Sequence, residues 1–148
     1  MKLAIVRIIL ALVMQHHWSL KQLDVSNAFL HGVLHEEVFM SQPPGYVDPA
    51  HPSHVCLLHM AIYGLKQALR AWFESFTTQL FHLGFIASSA DSNPFILHHG
   101  SFVVYLLLYL DDIIVTENDP SFIDQLITSL SVVFDLKDLG PLIFFLGL

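Results

Sequence analysis

Two adjacent carboxylates, Asp111 and Asp112, interrupt the apolar run of residues 102–115 (FVVYLLLYLDDIIV). Consecutive residues of a β-strand face opposite sides, so both carboxylates can serve one site only where the chain turns. An ordinary turn is one interpretation, because aspartate is favoured in turns by hydrogen bonds to nearby backbone groups. The apolar flanks favour the other, a metal site, since a turn between buried strands need not be solvated. The pattern leaves both open.

A third carboxylate, Asp24, ends a predicted strand at residues 20–25 (LKQLDV). If this strand neighbours the one beside Asp111, the two side chains could meet. Carboxylate oxygens suit Mg²⁺, and two such ions about 3.5–4 Å apart can activate an attacking oxygen and stabilise a leaving one. The alternative for Asp24 alone is a strand-end cap.

Other possible sites have weaker patterns. His54, Cys56 and His59 are metal-ligand types, but no second cluster follows at zinc spacing. Lys66 and Arg70 lie four apart on a predicted helix, where they could contact phosphates or simply face solvent. The glycine-rich phosphate-binding and nucleophile-elbow motifs do not occur in the sequence.

The elements that must position these residues alternate between helix and strand. Helical spacing of apolar residues predicts helices at 3–15, 65–83 and 120–134. Strands are predicted at 20–25, 37–41, 95–98, 101–109, 113–116 and 142–146, with a hairpin turn at 99–100. This order predicts an α+β fold, in which helices pack on one face of an antiparallel sheet.

Composition narrows the function classes. The 148 residues fit one domain, 54% are hydrophobic and 13% are charged, and the net charge is −7. Such a chain has enough apolar surface to fold, and it lacks the basic clusters of a freestanding nucleic-acid binder. A single cysteine excludes an intramolecular disulfide. The mean hydropathy of +0.59 indicates either a membrane-linked chain or part of something larger.

The N-terminal apolar stretch at residues 3–14 tests the membrane interpretation. It is shorter than the ~20 residues needed to span a bilayer, and Arg7 interrupts it. Bulky residues follow it instead of a small-residue cleavage site, so a buried helix is favoured over a targeting peptide. A small membrane-associated protein remains an alternative.

Five blocks in order resemble the reverse transcriptase domain of copia-type LTR retrotransposons of plant genomes. They are residues 23–32 (LDVSNAFLHG), 38–45 (VFMSQPPG), 63–73 (YGLKQALRAWF), 109–114 (YLDDII) and 137–147 (KDLGPLIFFLG). The resemblance covers essentially the whole chain. It implies a palm-like antiparallel sheet with truncated fingers and no thumb, so that residues 1–148 would be a partial reverse transcriptase domain.

The resemblance also implies roles for the carboxylates. Asp24 would be the first catalytic carboxylate, and Asp111 and Asp112 the pair on the palm hairpin. Asp24 and Asp111 would be the main ligands of two Mg²⁺ ions, for which Mn²⁺ could substitute. The Val25 carbonyl would assist, and Asp112 would be more peripheral.

Further residues are implied to contact the substrates. Phe29 matches an aromatic gate that packs under the incoming sugar and favours deoxynucleotides. The segment that lines the nucleotide and template side is matched by Tyr63, Gly64, Lys66 and Gln67. Tyr109 would lie near the primer terminus.

The implied reaction is RNA-directed DNA synthesis, in which a primer 3′-hydroxyl attacks a dNTP. The implied partners are a template-primer, dNTP and the remaining fingers, thumb and ribonuclease H parts of the polyprotein, with no membrane. The parent element would act in a cytoplasmic virus-like particle and lead to DNA integration. The chain alone is expected to have little or no activity.

Two positions depart from the pattern of the family. Leu69 stands where proline is usual, and Glu117 stands where glycine is common after the strand. An alternative is therefore an inactive remnant of a decayed element.

Overall fold

The computed structural model describes residues 3–89 and 94–142. The chain divides into two units. The sheet unit comprises Met1–Ala28 and Thr77–Leu148, and the ribbon unit comprises Phe29–Phe76. Three α-helices occur in the described residues: α1 (Leu3–His16), α2 (Ala68–His82) and α3 (Ser121–Ser131).

Within the described residues, the sheet unit contains six strands, and every neighbouring pair is antiparallel. Their spatial order is β4-β5-β6-β7-β1-β8. The bounds are β1 (Ser19–Val25), β4 (Ile86–Ala87), β5 (Phe95–His99), β6 (Phe102–Tyr109), β7 (Asp112–Glu117) and β8 (Leu136–Pro141). The mixture of helices and antiparallel strands confirms the α+β prediction.

Helices cover both faces of this sheet, so the prediction of helices on one face is wrong. On one face, α1 packs Val6, Ile9 and Val13 against Leu107 and Ile114. The other face carries the alternate residues of the strands, and there α3 places Phe122 edge-on against Phe102, with ring centroids 4.7 Å apart. Both faces of β6 and β7 are apolar, so each requires a cover.

The predicted burial of α1 is only partly confirmed. Val6, Ile9 and Val13 are buried, whereas Ile8 and Met14 are 60% and 77% exposed. The helix ends at His16, and the next residue, His17, has a φ of 54°. The Trp18 N–H then donates to the Val13 carbonyl at 3.1 Å. This bond and the left-handed residue form a Schellman-type helix end, with histidine in the place that glycine usually takes.

The ribbon unit is built on the two-stranded ribbon of β2 (Phe39–Ser41) and β3 (Val55–Leu57). The loop between these strands is held by Gln42, whose amide donates to the carbonyls of His51 and His54, each at 2.9 Å. A 3₁₀ helix at Ala28–His31 leads into Gly32. An added Cβ at Gly32 would lie 2.7 Å from the Trp72 nitrogen, so glycine permits this close backbone approach.

Most predicted elements are present, with shifted ends. The predicted helix at 65–83 begins three residues later, at Ala68, and the predicted strand at 37–41 is shorter. The final strand predicted at 142–146 lies almost wholly outside the described residues. The sequence does not predict β8, which forms at Leu136–Pro141 and pairs with β1.

Candidate carboxylate site

One face of the central strands ends in a polar row. Residues directly opposite each other in neighbouring strands share a face. On the face beneath α1, β6, β7 and β1 form three successive rows: Tyr105, Thr116 and Leu20; then Leu107, Ile114 and Gln22; then Tyr109, Asp112 and Asp24. The register thus places Asp24 directly opposite Asp112, with Tyr109 on the other side of Asp112.

Asp111 lies in the turn that joins β6 to β7. Tyr109 pairs with Asp112, so the turn contains only Leu110 and Asp111. Leu110 has a φ of 56°, as the first central residue of a type II′ hairpin turn requires. The Val25 N–H donates to the Asp111 carbonyl at 3.3 Å. The backbone segments that carry Asp24 and Asp111 are therefore adjacent. The sequence predicts this proximity only if the two strands are neighbours, and the structure shows that they are.

The three carboxylates differ in what they contact. Gln22 Nε2 donates to Asp112 Oδ1 at 3.2 Å. The carboxylates of Asp24 and Asp111 accept no hydrogen bond and form no ion pair within the described residues. All three residues are half-buried. Toward the rest of the described chain, Asp24 and Asp111 therefore keep their acceptor oxygens open, whereas Asp112 has one oxygen engaged.

The three carboxylates do not form a preformed metal site in the part of the chain that the structure describes. In residues 3–89 and 94–142, no group of three or more His, Cys, Asp or Glu side chains is placed to hold a metal ion. The zinc interpretation of His54, Cys56 and His59 gains no support, because Cys56 lies within β3 in no such group.

The opposite end of β7 carries a buried acid. Glu117 is 1% exposed, and its Oε2 has no hydrogen-bond partner among the described atoms. Ser19 Oγ donates to its Oε1 at 2.5 Å. Burial raises the pKa of the Glu117 carboxyl above its ordinary value, although the Ser19 bond and the Lys21 charge act to lower it.

The residues predicted to line the nucleotide belong to the ribbon unit. Phe29 and Tyr63 meet edge to face, with ring centroids 5.1 Å apart and planes at 74°. Gly64 follows with a φ of +92°, open space around it, and the Lys66 side chain is exposed. Gln67 is half-buried, and its carbonyl accepts the Ala71 N–H at 2.9 Å. The ribbon unit thus brings Phe29 and Tyr63 into contact.

A family model for reverse transcriptase (RNA-dependent DNA polymerase) matches residues 1–148. This chain belongs to the reverse transcriptase family. It is 45% identical over 143 residues to the Retrovirus-related Pol polyprotein from transposon RE1 of Arabidopsis thaliana, covering 97% of this chain and 10% of that protein. It is 37% identical over 142 residues to the corresponding polyprotein from transposon TNT 1-94 of Nicotiana tabacum, covering 95% of this chain and 11% of the relative. No solved structure matches at a significant level.

These relatives confirm the copia-type resemblance inferred from the five blocks. The reverse transcriptase chain spans about a tenth of the length of these plant polyproteins. The alternative of a small membrane-associated protein has no support from the family match. Separately, none of the helices in the described residues is long and apolar enough to cross a membrane.

The two departures from the family pattern have different structural consequences. Leu69 is the second residue of α2 and is 46% exposed. Backbone N–H groups in the first helical turn have no intrahelical partner, so proline and leucine both fit there. Glu117, in contrast, places a carboxyl in the interior of the reverse transcriptase sheet.

Sequence reasoning missed Gln22. Its signal is its position two residues before Asp24, which places both side chains on one face of β1. The contact with Asp112 depends on the register between β1 and β7, which the sequence alone does not supply.

Proposed function

We propose that this chain supplies the catalytic carboxylates of an RNA-directed DNA polymerase encoded by a copia-type retrotransposon. The observation that carries the proposal is the register that pairs Asp24 with Asp112 and bonds Val25 to Asp111. Carboxylates separated by more than eighty residues in sequence are thereby neighbours at one end of one sheet. The family match supports the polymerase chemistry.

The donor set fits Mg²⁺. Asp24 and Asp111 offer carboxylate oxygens free of hydrogen bonds from the described residues, and hard divalent cations take oxygen ligands. Adjacent carboxylates repel one another unless a cation neutralises them. Asp24 and Asp111 would hold the metal with the Val25 carbonyl, and Asp112 would be peripheral. When bound, Mg²⁺ supplies charge neutralisation at the phosphate and activation of the attacking oxygen.

The reaction joins a primer 3′-oxygen to the α-phosphorus of a dNTP. The bond to the β-phosphate oxygen breaks, pyrophosphate leaves, and the hydroxyl proton is released. The chain's own contribution is to position the groups. Tyr109, which pairs with Asp112, would lie near the primer terminus. The Phe29 ring, with Tyr63 and the segment through Gln67, would line the sugar and template.

Primer extension on an RNA template tests this proposal in a longer Pol polyprotein that contains this chain. Asp24→Asn and Asp111→Asn are each expected to abolish extension with Mg²⁺, because each removes a charged ligand. Asp135→Asn is the matched control, since Asp135 is exposed, and it should leave extension unchanged. Retained extension in either active-site variant would contradict the assignment. The 148-residue chain alone should extend no primer.

The second candidate function is an inactive remnant of such an element. Glu117 is the observation that favours it, because a buried carboxyl with an unpaired oxygen is a destabilising change of the kind that accumulates without selection. Extension by the wild-type polyprotein would decide against the remnant.

A further inference from the structure

Gln22 and Asp112 form a side-chain hydrogen bond at the candidate site. The amide of Gln22 donates to Asp112 Oδ1 at 3.2 Å, and both groups are partly buried. Gln22 lies opposite Ile114, one row away from the pair of Asp24 and Asp112. The contact is therefore a diagonal cross-strand bond on the polar end of this face.

The hydrogen bond from Gln22 distinguishes Asp112 from Asp24 and Asp111. An amide N–H on Oδ1 occupies that oxygen and limits rotation of the Asp112 carboxylate, and no described residue donates a hydrogen bond to Oδ2. Asp24 and Asp111 have no such restraint within the described residues. A group that donates a hydrogen bond to a metal-binding carboxylate fixes its orientation. It thereby changes the affinity for the metal ion without contacting the ion.

We infer that Gln22 is a positioning residue of this site, which acts by holding the Asp112 carboxylate in one orientation beside Asp24. The inference rests on the proposed function and deepens it. The Gln22 hydrogen bond holds the Asp112 carboxylate in one orientation and leaves one of its oxygens to face the cation. The carboxylates of Asp24 and Asp111 can still rotate to bind the cation. The positioning residue and the first carboxylate thus come from the same strand, two residues apart.

Manganese binding to the complete 148-residue chain tests the role of Gln22, with Mn²⁺ alone as the probe in calorimetric titration. Gln22→Met keeps the side-chain volume and removes the donor, and it is expected to weaken Mn²⁺ binding about tenfold. Gln22→Asn keeps the amide but is one methylene shorter, and the same loss is expected. The matched control is Gln125→Met, because Gln125 is exposed on α3 in the same unit; its affinity should stay within twofold of wild type.

A double-mutant cycle separates positioning from a general structural role. In an Asp112→Asn background, Gln22→Met should change the affinity less than twofold, because its effect passes through the Asp112 carboxylate. In NMR spectra, the Gln22 side-chain amide should shift in Asp112→Asn and stay unchanged in Asp135→Asn. A full tenfold loss in the Asp112→Asn background overturns the inference.

The failure of the inference differs from the failure of the proposed function. If Mn²⁺ binding falls in Asp24→Asn but is the same in Gln22→Met and Gln125→Met, only the role of Gln22 is overturned. If the wild-type chain binds no Mn²⁺, the proposed metal site fails, and the role of Gln22 fails with it.

Discussion

The acidic residues of β7 lie in two different environments. Asp112 is half-buried in a polar row at one end of the strand, and Glu117 lies in the interior at the other end. Both pair directly with residues of β1, so position along the strand separates a partly exposed acid from a buried one. Glu117 is therefore expected to affect stability and not chemistry.

The free energy of unfolding should fall as the pH rises above the ordinary pKa of a glutamate, because of Glu117. Burial raises the pKa of folded Glu117, so in this pH range the folded chain keeps a proton that the unfolded chain has released. Glu117→Gln removes the charge and should raise the free energy of unfolding by about 1 kcal/mol at pH 7, with no gain at pH 4. Urea unfolding at the two pH values measures this change.

Glu36→Gln is the control for that measurement, since Glu36 is exposed. It should change the free energy of unfolding by less than about 0.5 kcal/mol at either pH. An equal gain for Glu117→Gln at pH 4 and pH 7 would show that the charge of Glu117 is not responsible.

The β6–β7 hairpin is the element that positions the site, and it carries backbone strain. Leu110 adopts a φ of 56° and is 45% exposed. A positive φ of this kind costs an L-residue about 1–3 kcal/mol, and asparagine is among the residues favoured at the positive-φ position of a type II′ turn. Leu110→Asn should therefore raise the free energy of unfolding by about 0.5–1 kcal/mol, measured by thermal or urea denaturation.

Leu139→Asn is the matched comparison for the hairpin variant. Leu139 is 52% exposed in β8 and is not among the described residues with positive φ. Asparagine is disfavoured in strands, so this variant should lose stability. If both variants lose stability alike, the turn at Leu110 is not strained.

Elements with strong apolar periodicity could be predicted from sequence, and the others could not. The three α-helices and the β5–β6–β7 meander follow patterns of period 3.6 or runs of β-branched and aromatic residues. β8 (LKDLGP) has neither pattern, and none of its residues is fully buried. It is held to β1 by backbone hydrogen bonds, which leave no apolar pattern in the sequence. β3 and β4, with three and two residues, are too short to show a period.

The same distinction holds for the candidate site. Asp111 and Asp112 stand out as candidates because paired carboxylates between apolar runs are conspicuous. Asp24 is a candidate from its residues only if its strand neighbours theirs, which the sequence does not decide. Gln22 could not be found from the sequence, because its role depends on which residue of β7 lies diagonally opposite. The sequence does not predict that helices cover both faces of the sheet, because the apolar periodicity of a helix does not indicate which sheet face the helix packs on.

At the scale of the whole chain, exposed apolar side chains accompany a net charge of −7. Ile8, Met14, Phe39 and Val55 are all more than half exposed. Apolar patches promote association, and like charge opposes it until salt screens the charge. The chain should therefore self-associate with rising concentration, and more strongly in high salt. Light scattering coupled to size-exclusion chromatography measures this; a monodisperse monomer under all conditions would contradict it.

The chain matches about a tenth of much longer plant polyproteins, and the metal-binding role proposed for it depends only on the carboxylates at one end of one sheet. Crystals of the 148-residue chain grown with Mn²⁺ and measured by anomalous scattering test that claim most directly. An anomalous peak in contact with the carboxylates of both Asp24 and Asp111 is the expected result. A structure in which these carboxylates lie more than ~10 Å apart, beyond the reach of a shared two-ion site, would contradict it.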